Sequence, residues 1–228
     1  MSSSRFTSKR RAIASTRRHR AEAPARTISA SVARRIASVT RAAPGRVFTP
    51  FDFLDLGSPH SVGMVLTRII RSGQLRRLAR GLYDVPRAHP GLGILLPTPD
   101  DIAQALARRD GARVQPAGAM AANLLSLSEQ VPARAIYHTD GPSRTIKVGA
   151  LTVQLKKRPP RQVRSASSMS SLVFAALRSV GKTNLSPARV AHLRRILSAA
   201  DRRQLIKDLP LAPVWMHPHL RFIAGERE

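Results

Sequence analysis

The chain contains no cysteine, and that absence removes disulfides, thiolate metal sites and cysteine nucleophiles together. Aromatic side chains make up only 4% of its 228 residues, although 43% are hydrophobic, so a core must be assembled mainly from Leu, Ile, Val and Ala. Such a composition favours helices. Acidic residues are also scarce, 13 Asp and Glu against 39 Lys and Arg, which leaves a formal charge of +26. A chain so charged repels itself and needs a polyanionic partner, and nucleic acid fits better than a merely compositional bias. No apolar run approaches the ~18 residues of a membrane span, and no lipid anchor is evident. The start, Met1-Ser-Ser-Ser-Arg-Phe, lacks the apolar stretch of a secretory signal. Its Arg- and Ser-rich character is that of a mitochondrial import segment, but Phe6 and Ile13 are the only large apolar residues before Ile28. A cytoplasmic, nucleoid-associated protein is the expectation.

The basic charge is spread along the whole chain. Residues 1–26 carry eight basic and one acidic residue, 27–90 carry ten and three, 91–163 ten and five, and 164–228 eleven and four. With so few bulky apolar side chains, residues 1–26 are expected to be a disordered basic tail.

From Thr27 the pattern becomes periodic. Ile28, Val32, Ile36 and Val39 repeat at intervals of three and four and predict a helix whose other face carries Arg34, Arg35 and Arg41, ended by Pro44-Gly45. After the extended piece Arg46-Val-Phe-Thr, residues 50–57 predict a short second helix stopped by Gly57. Ser58 is a natural cap for a third, with Pro59 at its first position, Val62, Leu66, Ile69 and Ile70 turned inward and Gly73 as the stop. The run from Gln74 to Pro86 then predicts two short strands around Arg80-Gly81. Three helices and a basic hairpin over residues 27–86 predict a winged helix-turn-helix, whose third helix enters the major groove of duplex DNA while the hairpin grips the backbone.

Residues 87–97 are rich in Pro and Gly and predict a linker, followed over 98–223 by a mixed α/β domain. Helices are expected near Pro99–Arg109 and Ala117–Leu125, strands at 134–138, 144–148 and 151–155, and further helices near 168–180, 187–197 and 201–209. The fold class is therefore α+β.

On the predicted third helix, Ser58, His60, Ser61, Arg68 and Arg71 are the candidates for base or phosphate contact, and Arg76, Arg77 and Arg80 belong to the wing. Other motifs carry less. Gly181-Lys182-Thr183 has the ending of a phosphate-binding loop, but Ala176 stands where that loop needs glycine, so a helix C-cap is the simpler reading. His217 and His219 lack neighbouring acidic or sulfur ligands for zinc. Asp100 and Asp101 follow Thr98-Pro99 at a helix start, where carboxylates cap and favour the dipole. Trp215 and Met216 read as core. No nucleophile and base are paired, so no catalytic residue, metal or cofactor is expected.

Four runs resemble one family. They are Phe48-Thr-Pro-Phe-Asp-Phe, the span from Leu66 to Tyr83, Ala119-Met-Ala-Ala-Asn-Leu-Leu-Ser-Leu-Ser128, and Ala135-Ile-Tyr-His-Thr-Asp-Gly-Pro-Ser-Arg-Thr-Ile-Lys-Val-Gly149. Together they look like the AbiEi-type antitoxins, in particular their uncharacterised DUF6088-like branch, over roughly residues 28–223. The resemblance implies a bacterial repressor of its own operon, genetically partnered with a nucleotidyltransferase-like toxin that it opposes without necessarily binding, the type IV arrangement. The long basic tail, the high charge and Ser126 in place of an expected glycine depart from that pattern. The alternatives are an RNA-binding protein that shields a structured RNA, a stand-alone winged-helix regulator, and a nucleotide-modifying enzyme built on residues 98–223.

Overall fold

A computed structural model describes residues 30–129, 134–164 and 166–226. The basic tail over 1–26 and Ile28 lie outside the described residues. The chain divides between Leu95 and Leu96 into two compact units, and mixed helix and strand make the fold α/β in content.

In the first unit, α1 (residues 30–42) buries Val32 and Ile36. Thr40, not Val39, continues the stripe: Val39 is 40% exposed, whereas Thr40 is buried and donates its hydroxyl to Ala37 O at 3.3 Å. Steps of four keep residues 32, 36 and 40 over one another, and a threonine can follow them inward because its hydroxyl finds a carbonyl one turn back.

The expected second helix is reduced to one 3-10 turn, Pro50–Phe53. Asp52 accepts from the N–H and hydroxyl of Thr49 at 2.7 and 2.9 Å, and the Leu54 N–H already closes to Phe51 O, so the turn tightens instead of propagating. Phe53 is nonetheless fully buried against Phe48, with ring centroids 5.7 Å apart.

α2 (Pro59–Arg71) starts where Ser58 Oγ accepts from Ser61 N at 3.2 Å, and Arg68 and Arg71 complement its dipole in the last turn. Val62, Val65, Leu66 and Ile69 seat it on Val32, Ile36, Phe48, Phe53 and Leu75. Burying each of these large side chains stabilises the unit by about 1.5–3 kcal/mol.

Gly73, at φ +74, turns the chain into the antiparallel hairpin β1 (Arg76–Ala79) and β2 (Leu82–Asp84). Phe48 and Tyr83 exchange backbone hydrogen bonds of 2.7 and 2.9 Å, so the segment before the 3-10 turn adds a third rung to this hairpin. Residues 87–97, expected as a linker, instead carry a second small hairpin, β3 (Arg87–His89) with β4 (Gly93–Leu95), whose Leu92 and Ile94 are exposed. With no alternation of buried and exposed apolar residues, this hairpin gave no strand signal.

The second unit is built on a four-stranded sheet in the order β5-β6-β8-β7. β5 (Val114–Pro116) runs antiparallel to β6 (Arg134–Thr139), β6 is parallel to β8 (Leu151–Lys157), and β7 (Arg144–Val148) is antiparallel to β8. Ala135, Tyr137, Val153 and Leu155 form its buried face. They meet α3 (Pro99–Asp110), which opens on a capping box between Thr98 and Asp101 and closes on Gly111 in the left-handed region. Ile136, His138 and Lys156 point to the other face.

The remaining helices form a second layer: α4 (Ala119–Leu124), α5 (Pro160–Arg164), α6 (Ser168–Val180), α7 (Pro187–Ile196), α8 (Ala199–Lys207) and α9 (His217–Ala224). Their shared core includes Phe174, Leu177, Leu193, Leu205, Met216 and Leu220. Asp208 knits two of them: it accepts from Ser167 N at 2.9 Å and Gln204 Nε2 at 3.1 Å. Burial works against its charge, but these hydrogen bonds outweigh it and hold the carboxyl below the usual range.

Ser126 ends α4 at φ +54, with Ser126 N closing to Asn123 O and Leu127 N to Ala122 O. Among the described residues it is the only non-glycine in the left-handed region. The glycine expected there from the family resemblance thus has a backbone reason. Ser126→Gly should raise stability by about 0.5–1 kcal/mol, because relief of the left-handed strain exceeds the entropy glycine adds to the unfolded chain. A urea midpoint that falls or stays put would contradict this.

Candidate nucleic-acid interface

α2 carries four of the residues singled out from the sequence and Ser58 is its N-cap, and the structure sorts the five into two kinds. Ser58 and Ser61 are bonded to each other, hydroxyl to hydroxyl at 3.0 Å, and together cap the helix. His60, Arg68 and Arg71 are exposed. Positions 60, 64, 67 and 71 fall at helical spacings, so Met64 and Thr67 share that outward face. Met64 is 55% exposed and was not singled out as a contact residue, although an outward methionine among polar neighbours is itself a signal. No acidic residue occurs in the helix.

The hairpin residues divide as well. Arg76 forms a two-point ion pair with Asp84 on the facing strand, Nε to Oδ1 at 3.0 Å and Nη2 to Oδ2 at 2.6 Å, and donates again to Leu95 O at 2.9 Å. The Asp84 hydrogen bond pushes the Arg76 guanidinium further up. Arg76 therefore builds the hairpin. Arg77 and Arg80 are exposed, Arg80 at the turn beside Gly81, whose φ of +74 the turn requires.

Around them, residues 30–95 hold ten arginines and three aspartates. Two of the aspartates are taken up internally: Asp84 by Arg76, and Asp52 by Arg46 at 2.8 Å. Asp55 is exposed. Arg34, Arg35 and Arg41 are exposed on α1. The unit thus offers its surface as cationic, with most of its acid spent on holding arginines in place.

The other motifs are placed structurally. Gly181 caps α6, its N–H closing to Leu177 O. His217 Nε2 lies 3.1 Å from Ala212 O, and among the described residues no three His, Asp or Glu side chains gather as a metal set. Asp101 completes the cap of α3, while burial, then Asp101, push Asp100 up. Its neighbour Tyr137 is fully buried, and burial and Asp100 raise its phenol too. Met216 is buried in the helical core and Trp215 packs against it. Among the described residues no helix is long and apolar enough to cross a membrane.

No curated protein matches the chain. Residues 32–205 match a family of unknown function, DUF6088. That match spans α2, both hairpins and the sheet of the second unit, well over half of the sequence, and the chain belongs to the DUF6088 family.

Proposed function

We propose that residues 27–86 bind duplex DNA as a winged helix-turn-helix, with α2 in the major groove and the β1–β2 hairpin as the wing. The observation that carries this reading is the joint exposure of His60, Arg68 and Arg71 on α2 and of Arg77 and Arg80 on the hairpin, in a unit whose acids are mostly paired. The rung between Phe48 and Tyr83 supports it, since it ties the hairpin to the segment between α1 and α2 as a wing requires. In this reading the helix before α2 is reduced to the 3-10 turn Pro50–Phe53. Ser58 and Ser61 fix the helix start, Arg76 fixes the wing, and the exposed arginines meet phosphates and base edges.

The resemblance to AbiEi-type antitoxins extends the proposal. The chain represses its own promoter and acts as the antitoxin of a type IV system whose toxin is a nucleotidyltransferase, without a required complex between the two. The second unit is the antitoxin-like domain.

The test compares a duplex from the chain's own promoter with random duplex DNA and duplex RNA of equal length. Replacing His60 and Arg68 together by alanine should weaken the promoter duplex by about tenfold or more, because one well-formed base contact discriminates by about 1–3 kcal/mol. Random duplex should lose much less. Equal losses on both DNAs would reduce α2 to backbone contacts, and tighter binding to duplex RNA would replace the DNA reading by the RNA-shielding one.

A further inference from the structure

The exposed face of the second unit's sheet is not flat. Gln115, His138 and Lys156 stand directly across from one another on β5, β6 and β8. Arg158 follows at the end of β8, where its N–H is held by Thr139 O at 2.7 Å. From the other side α6 brings Phe174 and, one turn on, Arg178. These residues line a cavity of about 420 Å³, within the ~300–1,000 Å³ range of small-ligand sites.

Three permanent cations line this cavity, and no carboxylate does. Elsewhere in the unit Arg109 and Arg144 converge on Asp110 at 3.0 and 3.1 Å, a carboxylate of the kind this cavity lacks. Burial, and then Arg158, Lys156 and Arg178, hold the His138 imidazole below its usual range. Lys156 is half-buried and Arg158 and Arg178 are exposed at the cavity mouth, so water screens their mutual repulsion, and an anion entering the cavity meets all three. Two guanidinium forks and an ammonium suit the several oxygens of a phosphate better than a single carboxylate. The half-buried Ile136 and Ala175, with the core residue Phe174 behind them, make one wall apolar and offer a surface for a flat ring.

We propose that this cleft binds the phosphate of a nucleotide-sized ligand, with Lys156, Arg158 and Arg178 on the phosphate oxygens and the apolar wall of Ile136 and Ala175 against the base. The ligand's phosphate is either that of a free nucleotide or the terminal phosphate of a strand. The site lies within the second unit and stands apart from the DNA reading of the first.

The test uses the full chain at about 0.15 M salt, where diffuse attraction is screened. Calorimetry with ATP, and with a ten-nucleotide strand bearing a 5′-phosphate or a 5′-hydroxyl, separates the two sources: saturable ATP binding with no effect of the strand phosphate indicates the free nucleotide, and a phosphate-dependent gain on the strand indicates the strand end. Lys156→Gln with Arg178→Gln should cost about tenfold or more in affinity for whichever probe binds. Arg203→Gln with Lys207→Gln removes the same charge from the exposed side of α8 and should cost less than about twofold, as a remote exposed charge does. Equal losses in the two pairs, or no saturable binding of any probe, would overturn the proposal. If the cleft pair fails to fold, Arg178→Gln alone, at an exposed helix position, carries the same comparison.

Discussion

Deleting residues 1–26 should flatten the salt dependence of DNA binding by several units of slope. The segment holds eight basic residues and one acid. Each phosphate neutralised on B-DNA contributes about −0.9 to the slope of log affinity against log salt, so eight contacts set a ceiling of about 7. Charges set among small polar residues read no bases, and the ratio of promoter to random binding should stay nearly constant. Salt titrations of the full and shortened chains on both duplexes give slope and ratio together. An unchanged slope would assign the segment a role away from DNA, and a changed ratio would make it a reader of sequence.

The second large effect runs against simple electrostatics. Removing an acid from a DNA-binding surface ordinarily tightens binding, and Asp55→Ala, an exposed position, should do so slightly or do nothing. Asp84→Ala should weaken it. The Asp84 side chain is only 6% exposed and holds Arg76 at two points across the hairpin, so truncation strands a guanidinium that is itself only 25% exposed. Breaking a buried pair from one side costs about 3–5 kcal/mol, and the partial exposure of Arg76 puts this one near about 3. The expected result is a lower melting temperature of the first unit and a looser complex with random and promoter duplex alike. Tighter binding by the Asp84 variant, matching the Asp55 variant, would mean that the hairpin's shape does not matter to DNA.

Local chemistry made much of this fold legible. Ser58-Pro59 before an apolar stripe and Gly73 after it bounded α2, and Arg80-Gly81 marked the turn between β1 and β2. Alternation marked β6, β7 and β8. Most of what escaped depends on partners elsewhere in the chain, the Pro50–Phe53 turn being a local exception. Val114–Pro116 is a strand because β6 lies beside it, and nothing in three residues announces that. Pro50–Phe53 tightened into a 3-10 turn because Thr49 captured Asp52, a choice between two helical forms that composition leaves open. Arg76 looked like its neighbours Arg77 and Arg80 until the register set it opposite Asp84. The cleft of the second unit was invisible for the same reason, since Gln115, His138, Lys156 and Arg178 come together only through the strand order β5-β6-β8 and the placement of α6.

That strand order also sets a timetable for the growing chain. The β7–β8 hairpin closes over a two-residue turn, Gly149-Ala150, and can form in about 1–10 μs once both strands have emerged. β6 is made earlier, but its parallel partner is β8, the last strand among the described residues to be synthesised. Until β8 is complete, one edge of β6 stands open with its N–H and C=O groups unpaired, at an elongation rate of about 5–20 residues per second. The nascent chain therefore holds an exposed strand edge for roughly 1–4 seconds, and Arg134 on β6, followed by the Asp140-Gly-Pro turn, leaves that interval guarded by charge and by a proline against pairing with another chain.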